Sequence, residues 1–249
     1  MGFYNRVLRA TELAEDGRFR ESDALLIQAA AEGPKAYLSP YLLGENAMAQ
    51  RQYREAMDYY RRALELNSLY DLAAMGMGQA ALGGGDPAGA VKAFQWALEL
   101  NPRNYLVKLD LAWAYEKLNR LPDAANLQKE VLAAHPQDGR ANSDYGVTLV
   151  RLGQYADGLT DLQKALQLGY HSAITYNFFG TAQLAAGRTE EAVHAYEDAI
   201  RLDPRYSAPY GNLALLYLRA RQNEKAQQYY RKACQFDAVM CRDLAPRFR

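Results

Sequence analysis

Two stretches of the chain repeat the same pattern 34 residues apart: AMDYYRRALELN at residues 56–67 and AVKAFQWALELNP at residues 90–102. Each begins with Ala and contains the run Ala-Leu-Glu-Leu-Asn. Apolar side chains recur every three or four residues, which places them on one face of an α-helix. Repeats of about 20–50 residues are typical of arrays in which each small unit buries its apolar face against its neighbours.

The same period continues through the whole chain. Seven units of 34 residues fill residues 3–240 with no insertion or deletion. Their predicted bounds are 3–36, 37–70, 71–104, 105–138, 139–172, 173–206 and 207–240, and residues 241–249 are predicted to form a C-terminal capping segment. No Gly/Ser/Pro-rich linker interrupts the array, so we expect one quasi-linear domain stabilised by contacts between adjacent units.

Small and large residues alternate at fixed places within the unit. One small row is Ala10, Gly44, Gly78, Ala112, Gly146, Gly180 and Ala214, and a second is Ser22, Ala56, Ala90, Ala124, Gly158, Ala192 and Ala226. A row of large residues accompanies them: Leu26, Tyr60, Phe94, Leu162, Tyr196 and Tyr230, with Gln128 as the polar member. Small residues opposite large ones let two helices approach closely. Gly17, Gly85, Gly153 and Gly187 are predicted to cap the first helix of a pair, and Pro34, Pro102, Pro136 and Pro204 to follow the second.

These rows and the Leu-Asn-Pro and Leu-Asp-Pro endings resemble the tetratricopeptide repeat, over about 95% of the chain. The resemblance implies an all-α fold in which each unit is an antiparallel pair, helix A followed by helix B. It further implies that the pairs stack into a right-handed superhelical solenoid. Such a solenoid is expected to act as a non-catalytic scaffold that holds a peptide or helix of a partner protein in its concave groove.

In that family one stripe of each helix A lines the concave surface. Transferred to this chain, the stripe predicts thirteen groove residues: Leu38, Tyr41, Glu45, Leu72, Met75, Gln79, Leu106, Leu109, Trp113, Ser143, Val147, Asn177 and Thr181. The stripe is mostly apolar in the second to fourth repeats, which is typical of a surface for an amphipathic helix or an extended peptide. The alternative is that neighbouring A helices bury these side chains in a tight superhelix.

Cys234 and Cys241 are the two cysteines of the chain, seven residues apart near its end. The run around them resembles the cysteine-bearing variant of the related Sel1-like repeat, in which a disulfide joins helix B to the following helix. That resemblance implies a Cys234–Cys241 disulfide and an exported protein. The alternative is two unpaired thiols in a reducing cytosol.

Composition and motifs disfavour catalysis and nucleic-acid binding. Lys+Arg and Asp+Glu both number 29, so the chain lacks the basic excess of a nucleic-acid binder. The three histidines lie in different repeats and show no metal-ligand spacing. Gly83-Gly84-Gly85 lacks the Gly-Lys-Ser/Thr of a phosphate loop. We therefore expect no enzyme activity, no cofactor, no metal, no nucleic acid and no membrane span.

Two other hypotheses about function stay open at this point. The array could belong to a larger multidomain enzyme and serve recruitment or oligomerisation, or it could be a bacterial envelope or pilus assembly factor. Leu8 and other apolar residues of the first repeat also predict self-association through the terminal repeats. No targeting signal is found in this chain, so its compartment is unknown; we take cytoplasmic as the default, and export if the disulfide forms.

Overall fold

The computed structural model describes residues 2–31 and 35–248, and in this part of the chain helices are the sole regular elements. The α-helices are α1 Phe3–Glu15, α2 Phe19–Ala29, α3 Leu38–Ala49, α4 Tyr53–Leu66, α5 Asp71–Gly83, α6 Pro87–Leu100, α7 Tyr105–Lys117, α8 Leu121–Ala134, α9 Gly139–Arg151, α10 Tyr155–Gln167, α11 Ala173–Ala185, α12 Thr189–Leu202, α13 Ser207–Arg219, α14 Asn223–Phe236 and α15 Ala238–Leu244. A short 3₁₀ turn, Ala245–Arg247, follows α15. The all-helical prediction is confirmed.

The chain divides into two compact units, residues 1–127 and residues 128–249. Within the first unit, α1/α2, α3/α4 and α5/α6 form packed hairpins, and within the second α9/α10, α11/α12 and α13/α14 do. The predicted single domain over residues 3–240 stays a prediction. Each unit is described below by itself.

The turn between helices A and B has the same backbone conformation in every repeat. Seven residues spaced 34 apart have positive φ: Gly17, Arg51, Gly85, Asn119, Gly153, Gly187 and Arg221. Four of them are the glycines that the sequence predicts, and Arg51, Asn119 and Arg221 adopt the left-handed conformation without the advantage of glycine. Each turn also closes with backbone bonds of the Schellman type, such as Asp86 N–H to the carbonyl of Ala81 at 2.8 Å.

The small row packs directly on the large row, as the sequence predicts. A Cβ atom added at Gly44 would lie 2.5 Å from Cε1 of Tyr60, and one at Gly180 would lie 2.9 Å from Cε1 of Tyr196. Both distances are too short for a normal contact, so only glycine fits there. The large residues Tyr60, Phe94, Leu162 and Tyr196 are accordingly buried.

The helix ends agree with the sequence pattern. Helix α6 begins at Pro87 with Asp86 as its N-cap, and the Asp86 carboxylate accepts a hydrogen bond from the Gly89 backbone N–H at 2.8 Å. Pro102 and Pro204 lie just beyond the ends of α6 and α12. Pro34, predicted to end the first repeat, lies outside the described residues.

Helix α15 begins at Ala238, three residues before the predicted capping segment, whose bounds of 241–249 stay a prediction. Asp237 caps α15 by accepting hydrogen bonds from the backbone N–H groups of Val239 and Met240. An aspartate at the N-cap position stabilises the first turn of a helix, so Asp237 favours a helix that begins at Ala238.

Candidate functional site

The predicted groove stripe of the first unit is a largely apolar surface on α3, α5 and α7, and we call it the A-helix surface. Its most exposed apolar side chains are Leu72, Leu106 and Trp113, at 36%, 51% and 47% relative exposure. The other predicted residues of the surface are exposed or half-buried: Leu38, Tyr41, Glu45, Met75, Gln79 and Leu109. Every predicted groove residue of the first unit can therefore be reached from solvent.

Close approach of helices holds this surface in place. Helix α3 contacts α5, and α5 contacts α7, so the three A helices lie side by side. The ring of Tyr60 from helix B lies beneath them, where a Cβ at Gly44 or at Gly76 would meet it at 2.5 or 2.6 Å. The backbone of two successive A helices thus rests on one tyrosine ring, which fixes their spacing.

Four tyrosines and one glutamate form a polar cluster at one end of the A-helix surface. The Tyr41 ring lies 5.1 Å from the Tyr70 ring, and the Tyr70 ring lies 4.9 Å from the Tyr37 ring. The Tyr60 hydroxyl donates to Oε1 of Glu45 at 2.6 Å. Burial raises the pKa of Tyr70 to about 12, and burial also raises the pKa of Tyr41 and of Tyr60. These hydroxyls are therefore neutral donors at physiological pH.

Polar contacts also order the other end of the A-helix surface. The Gln79 amide donates to Oδ2 of Asp110 at 2.8 Å and so bridges α5 and α7. The Lys117 ammonium lies 5.0 Å from the centre of the Trp113 ring, one turn further along α7. A cation at this distance interacts favourably with the indole face and restricts the ring. Trp113 is thus an exposed aromatic side chain held in a defined position.

The second unit does not offer the surface that the sequence predicts. Ser143, Val147 and Asn177 retain only 2%, 8% and 4% relative exposure, and Thr181 is half-buried. Side chains so little exposed cannot contact a partner, so these three predicted groove residues are corrected to buried positions. Neighbouring A helices bury them, which is the alternative that the sequence left open.

Contacts with neighbouring helices account for this burial: Val147 lies in an apolar cluster with Ala182 of α11 and Leu162 of α10, and Ser143 and Asn177 make hydrogen bonds. The Ser143 hydroxyl lies 2.7 Å from the Thr175 hydroxyl, which joins α9 to α11. Oδ1 of Asn177 accepts from the Asn212 amide at 2.9 Å, and the Asn177 amide donates to the Tyr206 hydroxyl at 3.4 Å. A buried polar side chain is stable only when such partners are present, so these residues hold the helices together.

A cavity of about 370 Å³ between α1, α2 and α3 extends the candidate surface in a direction that the sequence analysis missed. Tyr41 and Glu45 line it together with Thr11, Ala14 and Glu15 of α1. Thr11 and Ala14 precede Glu45 and Met48 by 34 residues, so they occupy the same stripe in the first repeat. Extending the stripe by one period would have found them.

Little in the described residues suggests catalytic or metal chemistry. In residues 2–31 and 35–248, no three His, Cys, Asp or Glu side chains are arranged to hold a metal ion. The three histidine side chains are exposed, and His171 Nδ1 lies 3.0 Å from the Tyr176 hydroxyl. None of the described helices has both the length and the apolar composition needed to cross a bilayer.

The two cysteines are bonded. Sγ of Cys234, in α14, and Sγ of Cys241, in α15, lie 2.11 Å apart as a disulfide. The pairing is the one that the Sel1-like resemblance implies. It joins the last helix B to the helix that follows it.

Antiparallel helix hairpins of constant length, stacked through small rows and large rows, define an α-helical repeat protein. The Tetratricopeptide repeat family model matches residues 7–74 and 75–139, and further Tetratricopeptide repeat models match residues 138–205 and 195–228. The chain belongs to the tetratricopeptide repeat family. Human "Tetratricopeptide repeat protein 6" is 26% identical over 189 residues, which is 75% of this chain and 36% of that protein. The chain therefore spans about a third of the length of this relative.

Solved structures share the fold. The APC/C Cut9–Hcn1 hetero-tetramer aligns over 99% of this chain and 52% of the matched chain, with a TM-score of 0.76 and 16% identity. YrrB, described as a TPR protein with an unusual peptide-binding site, aligns over 79% of this chain and 97% of its own, with a TM-score of 0.63 and 19% identity. PilW, a type IV pilus biogenesis factor, aligns over 83% of this chain and 96% of its own, with a TM-score of 0.69 and 20% identity. At these identities the likeness concerns the fold.

Proposed function

We propose that this chain is a protein-interaction scaffold that binds a partner segment on the A-helix surface of α3, α5 and α7. The observation that carries the proposal is the exposure of Leu72, Leu106 and Trp113 on one surface made by adjacent helices. Exposed apolar side chains are unremarkable when scattered singly, but several on one surface that includes a tryptophan are typical of a binding site. Met75 and Leu109, half-buried on the same stripe, extend the apolar surface between them.

The chemistry of the surface favours an apolar segment with hydrogen-bonding groups at its edge. Leucine, methionine and tryptophan side chains can pack against an amphipathic helix or alternate side chains of an extended peptide. Glu45 and Gln79 lie on the same stripe and can bond to polar atoms of such a segment. Binding by shape and hydrogen bonds needs no catalytic group.

The experiment compares the two tryptophans of the chain. Peptides are selected from a random library on the immobilised wild-type chain, and their affinity is then measured for Trp113→Ala and Trp96→Ala. Trp96 lies on a B helix, α6, and is 37% exposed, close to the 47% of Trp113, so it is a matched control. We expect Trp113→Ala to weaken binding by about 2 kcal/mol or more, a roughly 30-fold higher Kd, and Trp96→Ala to leave it unchanged.

Two outcomes would contradict the proposal. Equal losses for both variants would place binding elsewhere or show general damage to the fold. A strongly lowered melting temperature for Trp113→Ala with unchanged affinity would make Trp113 a core residue and the surface assignment wrong.

A bacterial envelope or pilus assembly factor is the second candidate, and the Cys234–Cys241 disulfide favours it. Disulfides persist in oxidising compartments such as the periplasm and are rare in the cytosol. An alkylating reagent that traps free thiols in intact source cells tests this candidate. Unmodified cysteines would support an oxidising compartment, whereas full modification of both cysteines would exclude one. Membership of a larger multidomain enzyme stays a further hypothesis, and the full open reading frame decides it.

Self-association through the terminal repeats also stays a proposal. Tyr4 and Leu8, four residues apart on α1, are 61% and 63% exposed and form a small apolar surface. Asn5, Arg9 and Glu12 lie around them and are exposed as well, so the surrounding surface is polar. Light scattering over a wide concentration range measures the mass. A constant monomer mass would contradict self-association.

A further inference from the structure

The C-terminal segment 238–248 lies against the last hairpin through few contacts. A Cβ atom at Gly211 of α13 would lie 2.9 Å from Sδ of Met240 and 3.4 Å from Cδ1 of Leu244, so these two side chains rest directly on Gly211. The Phe248 ring stacks on the Tyr230 ring of α14 with a centroid distance of 4.5 Å. The segment thus covers part of α13 and part of α14.

The segment is poorly equipped to stay in place by packing alone. Helix α15 has seven residues and none of them is buried. A helix this short is unstable unless other contacts hold it. Ordering its first turn costs conformational entropy, and seven residues form too few backbone hydrogen bonds to offset that cost. The Asp237 N-cap helps, but its carboxylate acts at the first turn only.

The covalent bond lies in the middle of this segment. Cys241 is the fourth residue of α15, and its disulfide to Cys234 attaches the helix to the end of α14. The Tyr230 hydroxyl lies 3.4 Å from the Cys241 carbonyl oxygen, so the tyrosine that stacks on Phe248 also contacts the disulfide-bonded residue. Both cysteines are partly exposed and a reductant can reach them.

The hairpin beneath has its own core. Leu213 is fully buried in a cluster with Ala192 and Tyr196 of α12, and the Tyr217 ring stacks on the Tyr229 ring at 5.5 Å. This cluster and this ring pair include no residue of the segment 238–248. The hairpin can therefore stay folded when the segment leaves it.

We propose that the Cys234–Cys241 disulfide is a redox latch, which holds the segment 238–248 on the last hairpin when oxidised and releases it when reduced. Reduction by a dithiol breaks the S–S bond. The two cysteine sulfurs accept two electrons and two protons and become thiols, and the dithiol closes to its own disulfide. Release uncovers Gly211 and Tyr230 together with the apolar side chains of the segment.

Hydrogen–deuterium exchange of the full chain, with and without a dithiol reductant, tests the latch. We expect amides of residues 239–248 to exchange roughly tenfold faster or more after reduction, because the disulfide no longer restricts the open state. Peptides from α9–α12 should keep their rates and serve as the internal reference. The double variant Cys234→Ala/Cys241→Ala should exchange at the reduced rate with or without the reductant.

Limited trypsin digestion gives a second readout. Cleavage after Arg242, an exposed residue inside α15, requires local unfolding and releases residues 243–249 whether or not the disulfide is intact. Faster cleavage in the reduced protein would agree with the proposal. Equal exchange in both redox states would overturn the proposal, because packing alone would then set the segment's mobility. Faster exchange throughout α11–α14 after reduction would also overturn it, because the disulfide would then stabilise the whole hairpin.

Discussion

Tyr60 is closely packed against two A helices of the first unit, which makes Gly76→Ala an informative substitution. The Tyr60 side chain is fully buried, and a Cβ at Gly76 would lie 2.6, 2.8 and 2.9 Å from Cζ, Cε1 and Cε2 of its ring. Gly44 closes the opposite side, where a Cβ would lie 2.5 Å from Cε1. The ring therefore packs against the backbones of both α3 and α5, and neither of them leaves room for an added methyl group.

Two opposing effects decide the sign of this substitution. Replacing glycine by alanine inside a helix is worth up to about 1 kcal/mol of stability. Overpacking a filled core costs about 1–3 kcal/mol. Moving the ring also disturbs the 2.6 Å hydrogen bond from its hydroxyl to Glu45, worth about 1 kcal/mol. We expect a net loss of about 1–3 kcal/mol and, for a chain of this size, a fall in Tm of roughly 3–9 °C.

A double-mutant cycle separates these effects. Tyr60→Leu removes the ring, and leucine already occupies the equivalent position at Leu26 and Leu162, so the variant is expected to fold. In that background Gly76→Ala should raise Tm, because only the helix-propensity gain remains. Circular dichroism melting of the four proteins gives the coupling. A Gly76→Ala effect of the same sign and size in both backgrounds would refute the argument that the Tyr60 ring fixes the spacing of α3 and α5.

Three further outcomes follow from the same contacts. The contribution of Tyr41, Tyr60 and Tyr70 to stability should be constant below about pH 10, the ordinary tyrosine pKa, and be lost above it, because the folded chain keeps them protonated while the unfolded chain loses those protons. Denaturant titrations at a series of alkaline pH values measure the free energy of unfolding, to whose slope against pH each such tyrosine contributes about 1.4 kcal/mol per pH unit. Tyr70→Phe should reduce this slope, and an unchanged slope would contradict the assignment. Asn177→Ala should destabilise the second unit by about 1–3 kcal/mol, because it leaves Asn212 and Tyr206 without this partner. Thr181 is half-buried, so Thr181→Ala should show a smaller loss of stability in thermal melting. Asp86→Ala should cost about 1 kcal/mol by removing the N-cap of α6, whereas Asp86→Asn should keep most of it; equal losses in urea titrations would exclude the cap as the cause.

The helical hairpins and their junctions could be predicted from the sequence because they depend on local and adjacent residues. The 34-residue period, the small row opposite Tyr60 and Tyr196, and the left-handed turns at Gly85 and Gly153 all repeat at fixed offsets. The family resemblance implied which face of each A helix lines the groove, and helix periodicity gave the residues on that face. Leu72, Leu106 and Trp113 were found in this way, and the structure leaves them exposed.

Whether that face is open or buried depended on tertiary structure. Ser143, Val147 and Asn177 of the second unit are buried by partners far along the chain: Ser143 bonds to Thr175, 32 residues away, and Asn177 bonds to Asn212, 35 residues away. The sequence shows that these residues are polar, but periodicity does not show that two adjacent A helices bring their hydrogen-bonding groups within 3 Å of each other. The side chains of neighbouring repeats thus decide which part of a regular array remains available to a partner: Ser143 and Asn177 are buried with their partners, whereas Leu106 and Trp113 stay exposed.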